Sequence, residues 1–158
     1  MDKPDPYFAR NLTYGILDAI ISVSAVLLGA AFAGLDRRSV LVTGGLMVLS
    51  SALSMSFGAA LSDEHFEIKT GEGKPSTARK WKSAAVMFLA FLVTGVVVLA
   101  PTFLAANPPA AVPGTLAIAA VGVFGIVARY QGGLKALGSA AMAAAILGAT
   151  IAAGMVAP

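Results

Sequence analysis

The feature that most constrains this chain is the apolar run over residues 14–34, YGILDAIISVSAVLLGAAFAG. About 20 apolar residues cross the hydrocarbon core of a bilayer. Lipid offers no partner to a backbone N–H or C=O, so such a segment must be a helix. Four more runs follow, over residues 39–62, 83–105, 112–128 and 136–156. Composition agrees: charged residues make up 12% of the chain and the mean hydropathy is +0.84, against about 25% charged in a soluble domain. The fold class expected is all-α, an integral membrane bundle of five transmembrane helices forming a single domain over residues 1–158. The fourth run is short, roughly 15 apolar residues counted from about residue 115 against the usual ~17–25, and is expected to borrow residues 110–112.

Ala31-Phe32-Ala33 resembles a signal-peptide cleavage site. The apolar run before it is longer than the ~7–15 residues of a signal core, and a second span follows at once. The first run therefore reads as a retained span. Residues 63–82, DEHFEIKTGEGKPSTARKWK, read as a short cytosolic loop.

Five spans place the two ends of the chain on opposite sides. With the N-terminus inside, the inner segments hold Lys3, Arg10, Lys69, Lys74, Arg79, Lys80, Lys82, Arg129 and Lys135, and the outer ones hold Arg37 and Arg38. Nine basic residues against two satisfy the positive-inside rule in the N-in, C-out orientation. The net charge of +3 thus reports topology, and no nucleic-acid partner is expected. With no cysteine, disulfides and thiolate chemistry are excluded.

One carboxylate, Asp18, lies inside a span. Charge there is costly, so Asp18 either sits at the interface or faces a polar cavity between helices. Helix rise puts it roughly 7 Å in from the cytoplasmic end, and Met55 of the second span about 10 Å from the same side. Ser22 lies one turn beyond Asp18, and Ser54 precedes Met55. Carboxylate, hydroxyl and thioether together suit a divalent transition metal better than Ca or Mg; alternatively Met55 simply fills a gap among apolar neighbours. A second group, Asp63, Glu64, His65 and Glu67, follows the second span. If the helix continues there, Asp63 and Glu67 share a face and would concentrate cations at a mouth; the alternative is a solvated helix end. Arg79, Lys80, Trp81 and Lys82 read as an interfacial anchor touching anionic lipid. Catalysis has little support: HExxH and GxSxG are absent, and GEGKPST lacks the spacing of a phosphate loop. The chain is not expected to be an enzyme or to hold a tight cofactor.

Small residues recur at four-residue spacing, as in Ser50, Ser54 and Gly58 or Ala144, Gly148 and Ala152, a pattern that lets helices approach closely in lipid. GILDAIISVSAVLLGAAFAG, GGLMVLSSALSMSFGAALSDEH, Pro101 and RYQGGLKALGSAAM together resemble the vacuolar iron transporter family, including its small prokaryotic members. The resemblance implies five helices, a homodimer with a pathway near its two-fold axis, and export of Fe2+ or Mn2+ from the cytosol in exchange for protons. It matches Asp18 to the family's first-helix Asp and Met55 to its second-helix Met. Three departures stand out. Ala19 replaces a usual Gly, Ala59 replaces a usual Glu, and the long glutamate-rich insertion is reduced to residues 63–82. The expectation is a divalent-metal transporter of a prokaryotic plasma membrane. The rival is a membrane scaffold or accessory protein that keeps the fold without transporting.

Overall fold

The computed structural model describes the backbone of residues 6–70, 77–131 and 133–156. Five helices account for it: α1 (Pro6–Phe32), α2 (Arg37–Thr70), α3 (Thr77–Leu104), α4 (Pro108–Gln131) and α5 (Gly133–Val156). Each contains a stretch of 20 to 26 residues long and apolar enough to cross a membrane. The chain is an all-α, multi-pass membrane protein, and there is no strand among the described residues.

Several helix boundaries depart from the expected ones. α2 does not stop at residue 62 but runs on to Thr70, and α3 begins at Thr77, so most of the expected loop over 63–82 is helical. A helix ends where its backbone pattern is broken, not where hydropathy falls. In the sequence, Gly71, Gly73 and Pro75 stand between the two described helices. α4 likewise starts four residues before the expected 112, at Pro108. Asn107 accepts a hydrogen bond from the Ala110 N–H at 3.0 Å through Oδ1, a side-chain N-cap. Pro108 and Pro109 follow in the first turn, where proline lacks no bond that the helix would have made.

The α1–α2 connection is closed at both ends by local chemistry. Leu35 N donates to Ala30 O at 3.1 Å and Gly34 N to Ala31 O at 3.3 Å, the paired bonds of a Schellman stop. Gly34 holds φ at +74°, a left-handed conformation that costs other L-residues about 1–2 kcal/mol. Two residues on, Asp36 caps α2. Its carboxylate accepts from the Arg38 N–H at 2.9 Å, the Ser39 N–H at 3.1 Å and the Ser39 hydroxyl at 2.5 Å. The Ser39 hydroxyl, then the two N–H groups, hold the Asp36 carboxyl below its ordinary range.

α1 is the central helix and touches all four others. Ala19, Ile20, Val23, Leu27 and Leu28 of α1 are buried with Val48 and Ala52 of α2, Phe91, Val98 and Leu99 of α3, Val123 of α4 and Leu147 of α5. Consecutive helices alternate in direction. One end of the bundle therefore collects the start of α1, the end of α2, the start of α3, the end of α4 and the start of α5. The buried side-chain amide of Asn11 donates to the Ser83 hydroxyl and ties α1 to α3 at that end. At the other end, Arg37 reaches across from α2 and donates through Nε to Thr102 O at 3.2 Å and through its terminal nitrogen to Phe103 O. Those are last-turn carbonyls of α3, which have no partner within their own helix.

α1 and α5 approach most closely at two glycines. A Cβ on Gly154 would lie 2.5 Å from the carbonyl oxygen of Gly29. Only hydrogen fits there, which is the use of small residues at helix contacts in lipid.

Candidate functional site

Asp18 is the single carboxylate within the described membrane-crossing stretches. α1 is central, so most of its circumference is covered. Within Phe8–Phe32, the exposed residues are Phe8, Tyr14 and Asp18. Tyr14 and Asp18 stand one turn apart, and half-buried Ser22 continues the same row. The one carboxylate of these stretches therefore opens out of the bundle through a narrow strip of an otherwise covered helix. The Ser22 hydroxyl donates to the backbone carbonyl of Asp18 at 2.5 Å. Its proton is thus engaged on its own helix, while its oxygen keeps lone pairs for an acceptor role.

The relative depth of Asp18 and Met55 follows from packing. Gly44 of α2 sits against Leu27 of α1 and Leu99 of α3. α1 and α2 are antiparallel. Eleven residues along α2 from Gly44 lead to Met55, and eleven back along α1 from Leu27 lead to Ile16. Asp18 is two residues from that level, a depth difference of about 3 Å. The two residues paired by sequence depth therefore lie at nearly one level of the bundle.

They differ in environment. Asp18 is exposed, whereas Met55 is half-buried and packs against the hydrophobic core. Its packing matches the gap-filling role of methionine. Ser54 is exposed. Neighbouring Ser56 is buried, and its hydroxyl donates to Leu53 O at 2.7 Å. Asp18 and Met55 line none of three grooves on the bundle, between α4 and α5, between α2 and α3, and between α1 and α4. Within one chain, then, Asp18 and Met55 lie at nearly one level with Ser54 beside Met55, and Ser22 lies one turn further along α1.

Asp63, Glu64, His65 and Glu67 lie on the helical backbone of α2, so Asp63 and Glu67 are one turn apart. Their side chains lie outside the described residues. Among the described residues no three His, Asp or Glu side chains form a group able to hold a metal ion. Ala59 is buried in the bundle at 7% exposure.

Two polar groups in the spans escaped sequence reasoning. Asn11 is 1% exposed and bonded to Ser83. Ser24, in the middle of α1, is wholly buried and its hydroxyl has no hydrogen-bond partner among the described residues. Asn11 sits in a polar lead and Ser24 in a Ser-Val-Ser run, and neither context signals burial, because the sequence does not say which face of the central helix meets which neighbour.

No protein-family model matches this chain, and no curated protein matches it.

Proposed function

We propose that this protein is a divalent-metal transporter, moving Fe2+ or Mn2+ out of the cytosol in exchange for protons, with Asp18 as its central ligand. The observation that carries this reading is the placement of Asp18. A carboxylate within a span is a costly group, and this one opens from the central helix at the level of Met55, beside Ser22. An acidic strip facing lipid would be unfavourable. A second copy of the chain docked over it would cover the strip and bring two carboxylates to one axis. Such a pair holds either a cation or protons, and competition between them couples the two flows. This homodimer, the N-in orientation and a prokaryotic plasma membrane belong to the same proposal, which adds the likeness of α1 and α2 to the vacuolar iron transporter family. The acidic residues Asp63, Glu64 and Glu67 would collect cations at the cytosolic mouth, with His65 offering a nitrogen ligand beside them. The protein is not an enzyme in this reading, and the metal is its cargo.

A second reading is a membrane scaffold or accessory subunit that keeps the fold. Buried Ala59 favours it, since that position supplies no ligand. Metal flux into sealed vesicles separates the two. Purified protein is reconstituted and Mn2+ or Fe2+ entry is followed with an internal fluorescent reporter under an imposed proton gradient. Wild type transports, and Asp18→Asn abolishes flux while keeping the same melting temperature to within a few degrees. Flux unchanged in Asp18→Asn refutes the role of this carboxylate. Absence of flux for every divalent ion in wild type leaves the scaffold reading standing.

A further inference from the structure

Tyr14 stands one turn before Asp18 on the uncovered strip of α1, and 57% of it is exposed. Its depth follows from the seam between α1 and α3, which run in the same direction. Asn11 of α1 is bonded to Ser83 of α3. One turn further in, Gly15 presses on α3, where an added Cβ would lie 2.8 Å from Ala90 Cβ and 3.1 Å from Met87 O. On that register exposed Trp81, two residues before Ser83, is level with residue 9 of α1. Tyr14 lies five residues beyond that level (9 to 14), about 7 Å deeper into the bundle. Tryptophan marks the headgroup level, and α1 already carries an exposed aromatic there, Phe8. Tyr14 is therefore set below the aromatic belt of its own helix end, one turn from the carboxylate.

The strip has one open end. Ala25 and Gly29 lie seven and eleven residues beyond Asp18, on the same face of α1. Gly29 is covered by Thr150 and Gly154 of α5. The polar row of Tyr14, Asp18 and Ser22 thus runs into a closed seam at its far end and opens only toward the end of the bundle where α1 begins. Side chains of a helix lean toward its N-terminus. Asp18 accordingly leans toward Tyr14, and the Tyr14 ring leans along the strip toward its open end. Anything that reaches the carboxylate along the strip passes this ring. We propose that Tyr14 gates Asp18: its ring covers the open end of the strip, and water or a divalent cation reaches the carboxylate when the ring turns aside. The inference rests on the reading of Asp18 as the central ligand and adds the residue that controls access to it.

The chain contains no cysteine, so Asp18→Cys carries a single thiol. The full-length variant is placed in lipid nanodiscs, where both ends of the bundle meet water. Its modification by a small cationic, membrane-impermeant methanethiosulfonate is timed by mass spectrometry. Adding Tyr14→Ala is expected to raise the rate several-fold. Tyr14→Phe, which keeps the ring, is expected to leave the rate close to that of Asp18→Cys alone. Tyr14 is exposed, so truncating it opens no cavity in the core. Phe8→Ala, which removes an aromatic at headgroup level, is expected to change nothing. Equal rates with and without the Tyr14 ring overturn the proposal and leave Tyr14 a plain interface aromatic. So does Phe8→Ala accelerating modification as much as Tyr14→Ala, or a thiol that reacts in none of these proteins. Each of these results is compatible with Asp18→Asn abolishing metal flux, so the gate and the role of Asp18 fail separately.

Discussion

The contact between Gly154 and Gly29 yields the sharpest stability prediction. A methyl group on Gly154 would sit 2.5 Å from the Gly29 carbonyl oxygen, and real Cβ atoms essentially never come within 3.0 Å of another heavy atom. Ordinary contact begins near 3.4 Å, so the backbones must separate by nearly 1 Å. Both partners are backbone, and no side chain can swing aside to absorb it. A radial gap of ~0.5–1 Å forfeits a quarter to a half of each dispersion contact along the seam. Overpacking of this kind costs about 1–3 kcal/mol. Against that, replacing glycine by alanine inside a helix favours the helix by up to about 1 kcal/mol. Gly148 supplies the control, because a Cβ there meets nothing within 4 Å. Gly154→Ala should therefore lower stability by about 1–2 kcal/mol net, while Gly148→Ala should leave it unchanged or raise it. Both lie in α5, so propensity cancels in the comparison. Thermal or SDS-induced unfolding in detergent micelles, followed by far-UV circular dichroism, reads the difference. If Gly154→Ala is as stable as Gly148→Ala, the α1–α5 seam is not packed as described.

Arg37→Ala should cost about 1 kcal/mol by stripping the last-turn carbonyls of Thr102 and Phe103 of their guanidinium donor. Arg37→Lys should restore part of the loss, because one ammonium cannot reproduce both bonds, and the same unfolding assay measures both. Asp36 predicts a pH dependence. Its folded carboxyl is held below the ordinary range by Ser39 and Arg38, so its cap contributes fully above the unfolded carboxylate pKa and is lost as pH falls through the lower folded value. Melting temperatures of wild type minus Asp36→Ala should be constant from neutral pH down to the ordinary carboxylate range and shrink below it. A difference that grows on acidification would show that the cap does not depend on the charged form.

Particular elements show how far sequence reasoning reached. The five helices were legible because each span must satisfy its backbone internally, so length and hydropathy alone dictate helix. The ends were less legible. α2 was expected to stop at Ser62, where apolar residues give way to Asp63, yet it continues to Thr70. Hydropathy reports the membrane boundary, whereas glycine and proline decide the helix boundary. Asp18 was singled out by its cost, and its depth relative to Met55 followed from rise per residue alone. Two environments were not legible. Asp18 opens out of the bundle and Met55 packs on its core, a contrast set by which neighbour covers each face. Asn11 lies outside the expected span over 14–34 and is buried against Ser83, 72 residues away.

The sequence by itself determined that this chain is a five-helix membrane protein with alternating direction, basic residues gathered at one end, and a single carboxylate held within a span. Those are consequences of local composition and of the absence of water in the bilayer core. Only the tertiary structure decided that α1 is the central helix, that Gly154 meets Gly29, and that Tyr14 and Asp18 remain on its uncovered strip. Each of these depends on contacts between residues far apart in the chain. In lipid, where every helix face is apolar, hydropathy does not choose among neighbours; close-packing shape does.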